Sequence, residues 1–349
     1  MNPGASNIGS NGRDVFIDVS RLLAMLFIVV GHVNIRTPYC QGWSPLLSIA
    51  SSMSLNSGCV PLFFLLAGYF LKNTGSWMNW QRARDIFVSM LLWCIIGHFW
   101  FGALQQLETG RSVCISELVD AKMWSILGGW DSVGTPGSYD CWFLKVLIPL
   151  VFVSPCLMRM RDAVLMAIAL LSAIASSVAP DHGIVFVFSS SFLAGMAFFV
   201  SGILLKRFVT VAQIGQWASG IMFWFVPLTI LLSVCHLLWF PIFVPDSILV
   251  KVWIVVYLLC LSKLVCVMLP QFSRWFASFG TGVFFIYMLQ EMLVMQCRFF
   301  FTIHPINKHV YALVPFGIFA VLMLGYWLVR RYVPWACGLL CLSPVKKNS

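Results

Sequence analysis

Apolar residues in this chain gather into long segments that short polar stretches separate. Ten of these segments have about the 20 residues that an α-helix needs to cross a bilayer. The predicted spans are 15–34, 47–71, 85–104, 141–158, 162–180, 184–205, 218–240, 247–269, 280–301 and 311–333. The pattern therefore predicts an all-α, polytopic membrane protein with about ten transmembrane helices.

The composition supports a membrane protein and changes how the net charge is interpreted. Of the 349 residues, 60% are hydrophobic and 10% are charged, and the mean hydropathy is +0.91. A soluble domain typically carries about 25% charged residues. A net charge of +10 would suit a nucleic-acid partner, but the basic residues lie in short loops between predicted spans. We therefore expect the lipid bilayer, and no nucleic acid, as a partner.

The distribution of basic residues orients the spans. Cytoplasmic loops are enriched in Lys and Arg, and most of the 22 basic residues fall on the side that holds both chain ends. Both termini are therefore predicted to be cytoplasmic. We expect a disordered tail over 1–13, a single transmembrane domain over 14–335 with one long outer loop at 105–140, and a cytoplasmic C-terminal tail over 336–349.

The 12 cysteines are scattered, mostly within spans, and form no CxxC pair. We expect most of them to be small apolar packing residues. Cys40, Cys114 and Cys141 fall on the outer side of the predicted topology, so a disulfide among them is left open.

The first predicted span carries three ionisable residues, Asp18, Arg21 and His32. Ionisable groups inside a span are costly and usually functional. Arg21 and His32 are eleven residues apart, so on a helix they point within roughly 20° of each other and lie about 16 Å apart. Asp18 is one turn from Arg21 and can pair with it. Either Arg21 binds an anion such as a phosphate while His32 acts as a base or nucleophile, or the residues form a structural ion pair and a packing histidine.

Further candidates lie in the third and ninth spans. Arg82 and Arg84 either anchor the cytoplasmic end of the third span or form a basic rim that attracts a phosphorylated donor. Glu291, near the middle of the ninth span, could orient a histidine, relay a proton or pair with Lys145. The sequence contains no HExxH, P-loop, GxSxG or GxGxxG motif and no clustered Cys/His metal set. The absence of these motifs argues against a nucleotide-hydrolysing enzyme and against a metal site.

Several segments of the chain, beginning with the Arg21 and His32 pair, resemble motifs of the bacterial membrane-bound acyltransferase-3 family. Arg21 and His32 match its pattern of a basic residue, ten intervening residues and a histidine. Residues 61–71, PLFFLLAGYFL, resemble its signature PLFFxxSGYxL, and the residues around Trp80, Arg82 and Arg84 resemble the basic start of its third span. The segments CWFLKVLIPLVFVSP and SFGTGVFFIYMLQ resemble its later WFL and SFGxYLLH segments, although Ala67 replaces a serine and Gln290 replaces the late histidine.

The resemblance implies an O-acyltransferase of the bacterial cytoplasmic membrane. It would move an acyl group, usually acetyl, from cytoplasmic acyl-CoA to a hydroxyl of a cell-envelope glycan or its lipid-linked precursor. Acyl-CoA would be a co-substrate, with no permanently bound cofactor. His32 would be the catalytic histidine and Arg21 its basic partner, with Arg82 and Arg84 on the CoA phosphates.

From these residues we predict the following roles. Arg21, Arg82 and Arg84 bind the donor; His32 deprotonates the acceptor or briefly carries the acyl group, with Asp18 fixing Arg21 and Glu291 assisting catalysis. The predicted acceptor-binding residues are Trp130, Tyr139, Trp142, Lys145, Tyr287 and Gln290. Two alternatives stay open: a proton-coupled transporter or flippase that uses the same Arg, His and Glu, and a catalytically inactive glycan-binding protein, which the Gln290 replacement permits.

Overall fold

The computed structural model describes residues 14–35, 55–72, 75–110, 141–179, 189–238, 247–303 and 308–340. These residues form thirteen α-helices and two short 3-10 turns, Gly280–Gly282 and Pro334–Ala336. The helices are α1 (Val15–Ile35), α2 (Leu55–Tyr69), α3 (Trp80–Glu108), α4 (Trp142–Arg159), α5 (Asp162–Val178), α6 (Ser190–Phe208), α7 (Val211–Leu238), α8 (Ile248–Met268), α9 (Pro270–Ala277), α10 (Val283–Ile303), α11 (Lys308–Tyr311), α12 (Val314–Tyr332) and α13 (Cys337–Leu340).

Eight helical segments of the described chain are long and apolar enough to cross a membrane. Two shorter apolar helices, Gly58–Tyr69 and Asp162–Val178, fall on the second and fifth predicted spans. The helical, multi-pass character of the protein is therefore confirmed. The count of ten spans and the cytoplasmic position of the termini stay predictions.

Helix α1 lies at the centre of the bundle. It packs against α2, α8, α9, α10 and α12. Its apolar side chains on several faces, including Val19, Leu22, Ala24 and Met25, are completely buried. Of the ionisable residues of α1, Asp18 is buried with them, whereas the side chains of Arg21 and His32 stay 25% and 18% exposed.

Glycines bring α2 and α6 into backbone contact. A Cβ atom on Gly68 would collide with the carbonyl oxygen of Phe199, and one on Gly202 would collide with that of Leu65. Small residues permit this close approach of helices inside a membrane. The contact fixes the position of α2, which forms one wall of the cavity described below.

Helices extend into two segments that the predicted boundaries assign to a loop and a tail, and the boundaries themselves stay predictions. Residues 105–108, assigned to the outer loop, are the last turn of α3, because helical hydrogen bonding continues through the polar residues that end the apolar run. Part of the predicted C-terminal tail is helical as well: α13 packs on α3, where the indole Nε1 of Trp93 donates a hydrogen bond to the carbonyl oxygen of Leu340 at 3.2 Å. Residues 1–13 and 111–140 lie outside the described chain.

Candidate active site

A cavity of about 620 Å³ lies between α1, α2, α3, α4 and α10. One end is polar and basic, because Arg21, Lys72, Asn79 and Arg82 line it. The rest of the lining is largely apolar and aromatic, with Met25, Phe63, Leu66, Ala67, Ile86, Phe143, Leu144, Leu147, Val151, Phe284 and Tyr287. The cavity therefore suits a ligand with an anionic end and an apolar or extended remainder.

The position of α4 gives the cavity its depth. Along α4 the lining runs from Val151 to Phe143, which at about 1.5 Å per residue is roughly 12 Å. At the far end the rings of Phe143 and Tyr287 pack edge to face, with centroids 5.5 Å apart. These two rings form an aromatic floor opposite the basic end, and His32 is not among the described residues that line the cavity.

At the basic end, Arg21 contacts both a carboxylate and an aromatic ring. Its Nη1 lies 3.4 Å from Oδ1 of Asp18, and its guanidinium lies 5.3 Å from the centre of the Phe70 ring. Asp18 is buried and packs on the turn at Gly280, where a Cβ atom would lie only 2.6 Å from the Asp18 Cγ. Gly280 is thus required for the close approach of this turn to Asp18, and Asp18 in turn orients Arg21.

His32 and Glu291 meet beyond the aromatic floor. Nδ1 of His32 lies 2.6 Å from Oε2 of Glu291, and the two side chains are 18% and 7% exposed. Glu291 follows Tyr287 by one turn of α10, about 6 Å further along the helix axis. A carboxylate at Nδ1 holds the neutral imidazole with its proton on that nitrogen, which makes Nε2 the basic one. This arrangement can accept a proton from a hydroxyl group.

Gln290 is completely buried on α10, and neither atom of its side-chain amide has a hydrogen-bond partner in the described part of the chain. It follows Tyr287 by three residues, so the two side chains lie on neighbouring parts of one helix face. Buried polar groups are almost always hydrogen-bonded. Gln290 is not among the described residues that line the cavity, and its role in acceptor binding stays a prediction.

Several predicted residues lie elsewhere. Arg84 is exposed, bonds to Asp85 at 3.1 Å and is not among the described residues that line the cavity. Positions two apart on a helix point about 200° apart, which is why Arg82 reaches the cavity and Arg84 does not. Donor binding by Arg84 therefore stays a prediction that the geometry does not favour.

The predicted acceptor residues are only partly described. Lys145 is buried in the first turn of α4 and Trp142 packs against the core. The contact observed for Glu291 is with His32, and a pair between Glu291 and Lys145 stays a prediction. Trp130 and Tyr139 lie outside the described residues.

Sequence reasoning missed other residues of the cavity. Lys72 and Asn79 contribute to its basic end, and Thr281 lines it beside Gly280. Lys72 directly follows the motif at residues 61–71 and lies on the predicted cytoplasmic side. This position could have marked Lys72 as a candidate binding residue. Asn79 and Thr281 carried no such signal.

Comparison with known families identifies the chain. A family model described as an acyltransferase domain, that of acyltransferase family 3, matches residues 14–330. The chain belongs to the acyltransferase-3 family. The match spans α1 to α12 and contains every residue of the basic cavity and of the His32–Glu291 pair. No curated protein and no solved structure matches the chain significantly. Family membership makes this protein a membrane acyltransferase and confirms the resemblance noted from its motifs.

Proposed function

We propose that this acyltransferase-3 protein moves an acyl group, acetyl in the simplest case, from cytoplasmic acyl-CoA to a hydroxyl of a cell-envelope glycan or its lipid-linked precursor. The observation that carries the proposal is the alignment on α1. Arg21 lies at the basic end of the cavity, and His32 lies three turns further along the same helix face. We place the protein in the bacterial cytoplasmic membrane with the basic end facing the cytoplasm.

The charge distribution of the cavity supports a CoA thioester as donor. Arg21, Lys72 and Arg82 offer three cationic groups for the phosphates. The apolar lining beyond them accommodates an extended arm that carries the thioester. The separation of about 16 Å between Arg21 and His32 keeps the phosphates distant from the reacting carbonyl.

The proposed reaction uses His32 as a general base. Nε2 removes the proton of the acceptor hydroxyl while Glu291 accepts the hydrogen bond from Nδ1 and stabilises the resulting imidazolium. The hydroxyl oxygen bonds to the thioester carbonyl carbon, the carbon–sulfur bond breaks, and the CoA thiolate takes the proton from His32. In a second route the imidazole itself attacks the thioester and carries the acyl group to the hydroxyl.

Gln290 is the residue that we assign to the acceptor inside the membrane. Its buried amide can both donate and accept a hydrogen bond to a sugar hydroxyl, and Tyr287 offers an adjacent ring. Trp130, Tyr139, Trp142 and Lys145 are proposed to bind the acceptor closer to the outer side.

The test is incubation of purified protein with radiolabelled acetyl-CoA and envelope lipids, with His32→Ala compared with wild type. We expect CoA release and labelled glycan from the wild type, and a rate at least about 100-fold lower from the variant, since a general base contributes typically 10²–10⁴-fold. Label that stays on wild-type protein when the acceptor is omitted would indicate the acyl-histidine route.

Two outcomes would contradict the proposal. Substantial transfer by His32→Ala would remove the histidine from the chemistry. Glycan or lipid transport by proteoliposomes without CoA release would favour the proton-coupled transporter or flippase.

A further inference from the structure

Two cysteine sulfur atoms lie unusually close together between α3 and α4. Sγ of Cys94 is 3.0 Å from Sγ of Cys141, and both residues are buried, at 3% and 0% exposure. Carbon atoms that are not bonded to each other normally rest about 3.5–4.0 Å apart and sulfur is no smaller than carbon, whereas a disulfide bond is about 2.05 Å long. The two sulfur atoms therefore need to approach by only about 1 Å to bond.

We propose that Cys94 and Cys141 form a disulfide that ties the first turn of α4 to the middle of α3. Cys141 is the residue directly before α4, and Cys94 faces it across the packed contact between the two helices. The sequence permitted a disulfide for Cys141, but the candidate partners were the other cysteines predicted on the outer side. Cys94 was not among them because it lies within a predicted span. The fold selects the partner, since helix packing brings together two residues that are 47 positions apart.

The reaction is a thiol–disulfide exchange. The two thiols lose two protons and two electrons in total and form the sulfur–sulfur bond. A disulfide-bearing oxidoreductase on the outer side of the membrane accepts the two electrons and the two protons and is reduced to its dithiol. This source of oxidant rests on the proposed orientation, which places the start of α4 toward the outer side. Because both sulfur atoms are buried after packing, we expect the bond to form while α3 and α4 are still being assembled.

The bond would join two walls of the cavity. Helix α3 supplies Arg82 and Ile86 to the lining, and α4 supplies Phe143 and Leu144 directly after Cys141. A covalent link at this point fixes the spacing of the two helices at the aromatic end of the cavity. It also restricts the unfolded chain between the two cysteines, which stabilises the folded state.

Peptide mapping of wild-type protein tests the proposal without reference to activity. Protein purified without reductant is denatured in detergent with N-ethylmaleimide, digested and analysed by mass spectrometry. We expect a linked pair of peptides containing Cys94 and Cys141, lighter by two hydrogen atoms than the sum of the two. Reductant added to the folded protein should leave the linked pair intact. Reductant added after denaturation should break the bond, so that N-ethylmaleimide then alkylates both cysteines.

Two variants complete the test. Cys94→Ala should abolish the linked pair, leave Cys141 alkylated and lower the thermal unfolding midpoint by several degrees. Cys260→Ala, at a buried cysteine of α8, should leave the linked pair unchanged. Alkylation of both Cys94 and Cys141 in the unreduced wild type, or a link from Cys141 to another cysteine such as Cys114, would overturn the proposal. Failure of the acyltransferase assay alone would leave this result unaffected.

Discussion

The hydrogen bond between His32 and Glu291 permits a quantitative prediction for Glu291→Gln. The substitution keeps the shape of the side chain but replaces a carboxylate oxygen, 2.6 Å from Nδ1, with a neutral amide. Hydrogen bonds to charged groups contribute about 1.5–3 kcal/mol. The pair is mostly buried, with exposed fractions of 18% and 7%, so solvent screening removes little of this energy.

The expected effect follows from how the interaction changes during the reaction. The imidazole becomes positively charged in the transition state, so the carboxylate stabilises the transition state more than the ground state. At about 1.4 kcal/mol per factor of ten, the loss lowers kcat about 10- to 150-fold. The KM for acetyl-CoA should change little, because the phosphate-binding end of the cavity is untouched.

The assay is steady-state release of CoA from acetyl-CoA by purified protein with envelope lipid acceptor. The matched control is Asp162→Asn, which makes the same carboxylate-to-amide change at a half-exposed residue that pairs with Arg207. We expect the control to retain wild-type kcat. An unchanged kcat in Glu291→Gln, or an equal loss in the control, would refute the reasoning that the carboxylate acts through His32.

Two further predictions concern the basic end of the cavity. Arg82→Ala should raise the KM for acetyl-CoA about 10-fold or more, as expected for the loss of a charged hydrogen bond. Arg84→Ala should change this KM little, because Arg84 points away from the cavity. Equal KM values in acetyl-CoA titrations of the two variants would contradict this assignment. Gly280→Ala should raise the same KM several-fold with kcat nearly unchanged, since its Cβ would displace Asp18 and release Arg21. Gly317→Ala, whose Cβ meets nothing within 4 Å, should match the wild type, and an unaltered KM in Gly280→Ala would count against the role of Asp18.

The sequence was most informative where helical periodicity acts within one segment. The spacing of Arg21 and His32 predicted one helix face, and α1 presents Arg21 to the cavity with His32 further along the same face. Asp18 lies beside Arg21, as predicted from their spacing of three residues. Such contacts depend only on the regular geometry of a single helix.

The sequence was least informative about contacts between helices. It left three possible roles for Glu291, and the structure brings Glu291 to His32 across 259 residues of chain. It treated Arg82 and Arg84 alike, although the rotation of α3 within the bundle directs only Arg82 to the cavity. It assigned Cys94 to packing and could not identify it as a neighbour of Cys141.

The sequence by itself thus indicated the membrane class, the approximate spans, the family and the shared helix face of Arg21 and His32. These properties depend on hydrophobicity, on charge and on a period of about 3.6 residues, which can be evaluated along the chain. Tertiary structure decided which helices surround α1, which basic side chains share a cavity and which carboxylate meets His32. Those relations depend on how helices pack and rotate against one another through small residues such as Gly68 and Gly280. The spacing of residues along the sequence does not specify that rotation.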